Sequence, residues 1–348
     1  MSGVIIREGL RSLLGAAAVA TMTLVVAAPA IAGDKVPKPP DPTPAPPGPP
    51  APQPPPLPPA DATTLKLKLK GEKRGQVPVG QRVRIVGTMH PWRPNQQVTV
   101  TVTRGKRKVK KEVAEVTHAK GNLGRFKVKS PRLVEPGRYQ ATVQHAGNAM
   151  LKGATVRSRK FKPRYPSLHR GEGGREVKLF NRLLDKQGYV PSNGKRYTER
   201  TARAVIAYRK VNGMARITRA TSGIFKKLAG GRGTYNVKHP GAGKHAEVNL
   251  GRQVLVLAEG GKARRIYHVS TGAGGTPSDR GLFRFNRRQP GYNALRMYYT
   301  TYYNGGEGIH GYHSVPVHPA SHGCIRTPIS DARNIYGWVQ LGMSIYVY

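Results

Sequence analysis

The hydrophobic period changes twice along the chain. Between residues 62 and 162 apolar and polar positions alternate: Leu65-Lys66-Leu67-Lys68-Leu69-Lys70 does so without a break, and Val98-Thr99-Val100-Thr101-Val102 repeats the pattern with β-branched residues. Period two puts one set of side chains on a buried face and the other in water, while Gly80, Gly105, Gly121 and Pro136-Gly137 punctuate the runs. Roughly seven short strands in about 100 residues is the density of a β-sandwich. The alternating cations are then either a solvated face or a surface that docks on an anionic polymer.

From residue 165 to 230 the period becomes helical. Val177, Phe180, Leu183 and Leu184 fall on one helix face, Ala202, Val205, Ile206 and Tyr208 on a second, and a third helical stretch closes with IFKKLAG. Strand patterning returns after residue 233. Val248-Asn249-Leu250 and Val254-Leu255-Val256-Leu257 are separated by Gly251-Arg252-Gln253 at hairpin spacing, and Ile266-Tyr267-His268-Val269-Ser270 leads into TGAGGTPSDRG. That glycine-rich segment lacks both dinucleotide and P-loop spacing, so it reads as a mobile connection or the wall of a cleft.

The first 61 residues follow none of these periods. Arg7 and Arg11 precede an uncharged apolar stretch that ends in Ala30-Ile31-Ala32, the pattern of a secretory signal over residues 1–32. Left uncleaved, the same stretch would serve as a membrane anchor. In residues 37–59 fifteen of 23 positions are proline. Residues 33–61 therefore form a linker in polyproline II, which at about 3.1 Å per residue reaches roughly 70 Å. It is read as a tether, with a PxxP ligand as the other reading.

Charge sharpens this division. The 348 residues carry 59 Lys and Arg against 17 Asp and Glu, a formal net charge of +42. Residues 62–162 hold +21 and residues 163–232 hold +13, whereas residues 1–61 net to zero and residues 233–348 hold only +8. Such a balance calls for anionic surroundings, which nucleic acid, an anionic membrane and a bacterial wall all provide. Export argues against nucleic acid, and a membrane enters only if the signal is retained. One cysteine, Cys324, excludes an intrachain disulfide.

That cysteine lies in IHGYHSVPVHPASHGCIR, residues 309–326, among four histidines. A zinc site drawn from His310, His313, His318, His322 and Cys324 lacks H-E-x-x-H and paired C-x-x-C spacing, so no metal is expected. A buried inert thiol fits poorly with a polar turn rich in glycine. The remaining reading is a thiolate nucleophile with a histidine base.

Here the sequence resembles a known family. His310-Gly311 followed by Ser321-His322-Gly323-Cys324-Ile325-Arg326, with Val269-Ser270-Thr271-Gly272, a Gly281-Leu282-Phe283 turn and a closing helix and strand from Asp331 to Tyr346, is similar to the YkuD-type L,D-transpeptidase catalytic domain. Residues 62–162 likewise resemble an immunoglobulin-like domain, and residues 163–232 a small three-helix peptidoglycan-binding-like domain. In the latter, Asn193-Gly194 replaces the usual aspartate-glycine and Asn181 the expected glutamine, so ligand contacts do not carry over; a plain spacer is the other reading.

The resemblance implies a multidomain protein whose last domain, residues 233–348, is mostly β. It implies Cys324 as nucleophile, His310 as general base and the Gly311 carbonyl as its orienting group. Backbone N–H groups of His322, Gly323 and Cys324 would face the oxyanion beside Ser321, and Arg326 would hold a substrate carboxylate. The implied reaction joins donor and acceptor peptidoglycan stem peptides by 3→3 cross-links through a Cys324 thioester, without a cofactor, in the cell wall or periplasm of a bacterium. Water as acceptor would make it an L,D-carboxypeptidase. The rival is a non-catalytic wall-binding protein with a degenerate catalytic domain. Since the accessory regions supply location and no catalytic group, residues 233–348 alone are expected to acylate a soluble donor.

Overall fold

A computed structural model describes residues 58–348; the signal and nearly all of the proline linker read from the sequence lie outside the described residues. Alternation in the first segment folds into two four-stranded antiparallel sheets. One runs β1 (Thr64–Lys70), β3 (Arg84–His90), β7 (Leu123–Lys129), β6 (Thr117–Lys120), and the other β5 (Arg107–Glu115), β4 (Gln97–Arg104), β8 (Tyr139–His145), β9 (Ala154–Arg157). A short parallel pair, β2 (Gln76–Pro78) with β10 (Lys162–Arg164), brings the count to ten strands against the roughly seven expected. The excess comes from this pair and from β5 and β6, which Val116 alone separates. Every second residue of β7 and of β4 as far as Val102 is buried, and Val98, Val100 and Val102 share a core with Ile85, Met89, Phe126 and Val128 of the facing sheet. Arg125, Lys127 and Lys129 take the opposite, solvated face of β7.

Helices α1 (Arg175–Lys186), α2 (Glu199–Val211) and α3 (Ser222–Ala229) follow. Val177, Phe180 and Leu184 form the inner stripe of α1, and the Thr221 side chain caps α3 by accepting from the Ile224 N–H. Buried Asn181 donates to Ser192 Oγ and the Gly194 carbonyl and accepts from Thr201 Oγ1, which ties α1, the following loop and α2 together.

In the last segment, β11 (His245–Asn249) and β12 (Val254–Glu259) form the expected hairpin. With β13 (Lys262–His268), β14 (Gly281–Arg284) and the final strand β19 (Ser344–Val347) they make a sheet of order β13-β12-β11-β19-β14. Residues 281–283, read as a turn, are instead an edge strand paired with β19, with Leu282 exposed and Phe283 packed on Tyr303. A second sheet runs β15 (Arg287–Tyr292), β16 (Tyr298–Asn304), β17 (Glu307–Tyr312), β18 (Ile325–Pro328), and helix α4 (Ile329–Trp338) packs beside it.

Strand β12 is buried on both faces. Leu255 and Leu257 join Ile309, Ile325, Ile335 and Ile345 in the core between the two sheets, whereas Val254, Val256 and Ala258 join Phe180, Val205, Tyr208 and Phe225 of the helices. Two-sided burial is why this strand reads as an unbroken apolar run. One hydrophobic core thus crosses residue 232, and the expectation that residues 233–348 suffice alone meets four aliphatic side chains, Ile266 included, that would be stripped of their cover.

Candidate functional site

Strands β17 and β18 pair in parallel with His310 opposite Arg326 and Gly311 opposite Thr327. That register brings the turn 321–324, which feeds β18, against the strand carrying His310. The turn is tightly clipped. Ser321 Oγ donates to the Cys324 carbonyl, Ser278 Oγ donates to the Gly323 carbonyl, and the Gly272 N–H donates to Ser278 Oγ at 3.0 Å. The segment 271–281 is thereby tied to the Cys324 turn through Ser278. Gly323 sits at φ +106, and a Cβ there would lie 2.7 Å from Glu307 Oε1, so glycine is needed for both conformation and space.

The Cys324 thiol is half-buried and donates to the Gly306 carbonyl, 3.6 Å away. Burial raises its pKa; the Gly308 N–H bonded to the sulfur opposes this, the nearby Glu307 carboxylate adds to it, and Arg326 opposes it. The thiol pairs with Gly306 and not with His310 among the described hydrogen bonds. The imidazole is only 3% exposed, and its Nδ1 lies 3.0 Å from the Gly311 carbonyl. A carbonyl accepts only, so Nδ1 carries the proton and Nε2 keeps the free lone pair. Burial pulls His310 down to about 4; the Gly311 bond works against this and Arg326 reinforces it. The site therefore holds a neutral thiol and a neutral base at physiological pH. Gly311 is itself locked in place, since a Cβ there would meet Ala332 Cβ at 2.8 Å and Ile329 Cα at 3.2 Å in α4.

His322 is exposed while Ser321 and Gly323 are buried. Outside the sheet ladders, the N–H groups of His322, Gly323 and Cys324 make no hydrogen bond among the described residues. Arg326 is half-buried, its guanidinium 4.4 Å from the centre of the Tyr312 ring, with no carboxylate partner among the described residues. His313 lies on that same ring at 4.3 Å, and the His318 carbonyl accepts from Ser270 Oγ. No group of three or more His, Cys, Asp or Glu side chains comes together among the described residues.

Glu307 escaped the sequence reading. It accepts from the Asp279 N–H at 3.2 Å and from the Tyr303 hydroxyl at 3.1 Å, and burial raises its pKa. One of only five acidic residues in the last third, three positions before the proposed base, it was recognisable by rarity alone. Because its charge opposes the thiolate, Glu307→Gln is expected to lower the Cys324 pKa and speed alkylation by iodoacetamide near neutral pH. An unchanged or slower alkylation rate against pH would contradict this electrostatic account.

The helices reach this site too. Lys210 Nζ, at the end of α2, is buried between the Gln253 carbonyl (3.0 Å), the Val269 carbonyl (2.9 Å) and His268 Nδ1 (2.7 Å). His268 Nε2 donates to the Val315 carbonyl at 3.0 Å, so Nδ1 is the acceptor that Lys210 meets. Burial lowers the Lys210 pKa, yet three acceptors match the three N–H donors of its charged form. Arg216 donates to the Val317 carbonyl at 2.6 Å and the Gly251 carbonyl at 3.0 Å. Arg216 thus fastens the loop that runs from Tyr312 to the Cys324 turn directly, and Lys210 does so through His268.

Two sheets rich in antiparallel pairs thus set a cysteine turn against the strand that carries His310. Residues 243–347 match the model of the YkuD family, the L,D-transpeptidase catalytic domain. The chain is similar to the crystal structure of the L,D-transpeptidase of Xylanimonas cellulosilytica, at 28% identity over 53% of this chain and 98% of that one, with a TM-score of 0.49. It is also similar to the L,D-transpeptidases of Stackebrandtia nassauensis (20% identity, 53% of this chain, 96% of that one, TM-score 0.33) and Mycobacterium smegmatis (11%, 82%, 99%, 0.28). No curated protein matches the chain.

Proposed function

We propose that the protein is an exported peptidoglycan L,D-transpeptidase that forms 3→3 cross-links. The observation that carries this reading is the parallel pairing of β17 with β18, which sets a Cys324 turn beside a His310 whose Nε2 is free to accept a proton. In the first half-reaction Nε2 takes the thiol proton as sulfur attacks the carbonyl of the third residue of a tetrapeptide stem. The N–H groups of His322, Gly323 and Cys324 receive the oxyanion, and the proton passes to the departing D-alanine amine. In the second, the side-chain amine of a neighbouring stem attacks the thioester and restores the thiol. Arg326, cationic and free of an ion-pair partner among the described residues, is the group to hold a stem carboxylate. Capture of the thioester by water would give carboxypeptidase activity from the same site. The strongly basic residues 62–232 suit an anionic wall polymer, as a chain working outside the membrane requires.

Intact-mass measurement with a defined tetrapeptide tests this. The expected result is an acyl adduct on the protein that an amine acceptor discharges. With His310 lowered to about 4, the imidazole stays neutral far below its ordinary 6.5. The acylation rate should then hold as pH falls and collapse only through about 4. No adduct at any pH, or an acid limb near 6.5, would overturn the assignment of acylation or of its base.

A further inference from the structure

Between the sandwich and α1 lies a concave groove of about 750 Å³ whose rim is cationic on both sides. Arg82, Arg84, Lys129 and Arg132 come from the sandwich. Arg175, Lys178 and Arg182 come from α1, where spacings of three and four put them on the face opposite Val177, Phe180 and Leu184. All seven are exposed, and none forms an ion pair among the described residues; Glu176 is the one acidic group in the wall. The floor is aliphatic, made by Val79, Val134 and Leu179.

Like charges gathered within about 8 Å of one another repel unless counterions or a ligand neutralise them. A concave arrangement with low-dielectric walls concentrates the field more than exposed cations outside a groove, such as those of the hairpin at residues 105–111, do. Five of the seven are arginines, whose planar forks grip tetrahedral oxyanions through paired N–H groups. The lining holds no aromatic side chain, so a nucleic-acid strand would find no platform for its bases.

We propose that this groove binds a linear phosphodiester polymer with a non-aromatic repeat, of the polyol-phosphate kind. The inference rests on the reading that the chain works at an anionic wall polymer, but it uses no residue of the Cys324 site, so the two fail separately.

The test is binding of the full chain to synthetic poly(glycerol phosphate) at several salt concentrations. Poly-L-glutamate and an oligothymidylate of equal charge serve as comparison ligands. The variant Arg84→Gln/Arg132→Gln/Arg175→Gln/Arg182→Gln changes only exposed side chains. It is compared with Lys106→Gln/Arg107→Gln/Lys108→Gln/Lys111→Gln on the β4–β5 hairpin, which removes the same charge elsewhere. The expected result is tightest binding to poly(glycerol phosphate). Affinity of the groove variant should fall about tenfold or more, and its log–log salt slope should be shallower by about 3, at roughly 0.7–0.9 per lost phosphate contact. The hairpin variant should lose much less, and Cys324 acylation by a soluble donor should be unchanged in both. Equal loss in the two variants would reduce the groove to net charge and overturn the proposal. So would equal affinity for polyglutamate or oligothymidylate.

Discussion

Replacing Cys324 by alanine should abolish the acyl adduct formed with a tetrapeptide donor and cut turnover by about 10³-fold or more, as losing the nucleophile of a covalent mechanism does. The fold should survive. The thiol is half-buried, it donates to the Gly306 carbonyl at a turn and accepts from the Gly308 N–H, and the clips at Ser321 and Ser278 act on backbone carbonyls that the substitution leaves in place. Far-UV circular dichroism and the thermal midpoint should therefore match the parent while intact mass shows no adduct. Cross-linking retained by the purified alanine variant would remove Cys324 from the chemistry. Cys324→Ser is the sharper comparison, because it keeps the shape of the turn and changes only the attacking atom.

The second large effect concerns the helices. A fragment of residues 233–348 should fail to yield a soluble, active monomer. It would expose Val254, Val256 and Ile266, each fully or almost fully buried in the intact chain. At about 1.5–3 kcal/mol per aliphatic side chain, the loss is comparable with the ~5–15 kcal/mol net stability of an ordinary domain. It would also lose the Arg216 bond to the Val317 carbonyl and the Lys210 bond to His268, whose ring holds the Val315 carbonyl. Size-exclusion chromatography, hydrogen exchange and acylation of a soluble donor check this against a fragment that starts at residue 163 and keeps the helices. A 233–348 fragment that is monomeric and acylates at the full-chain rate would show that the shared core is dispensable.

How much of this was legible beforehand depended on whether burial was one-sided. Val98-Thr99-Val100 and Arg125-Phe126-Lys127-Val128 alternate because each strand has one wet face, and the sandwich could be read directly from them. The helices were equally plain, since Val177, Phe180 and Leu184 mark a single inner stripe. Val254-Leu255-Val256-Leu257-Ala258 signalled a strand, but an unbroken apolar run does not say which partner covers which face, and the helices' claim on one of them stayed hidden. At the site, the histidine and cysteine stood out by motif. Glu307, Ser278 and Gly308 did not, because their closeness to the thiol arises from the β17–β18 pairing and from a loop that folds back over it. Lys210 looked like one more surface cation in a chain rich in them; only tertiary packing makes it an internal strut.

Strand β12 also constrains how this protein can change over generations. A bulkier residue at Val256 presses on the helices, and one at Leu257 presses on the sheet that carries His310, so substitutions on either side must be compensated across a single strand. Homologous recombination that joined a foreign helical cassette at residue 232 would break a seam of matched side chains. A crossover in the short stretch after β10, near residue 164, cuts far fewer of them. The heritable unit is the helices together with the sheets, to whose buried core the sandwich contributes Val79 alone.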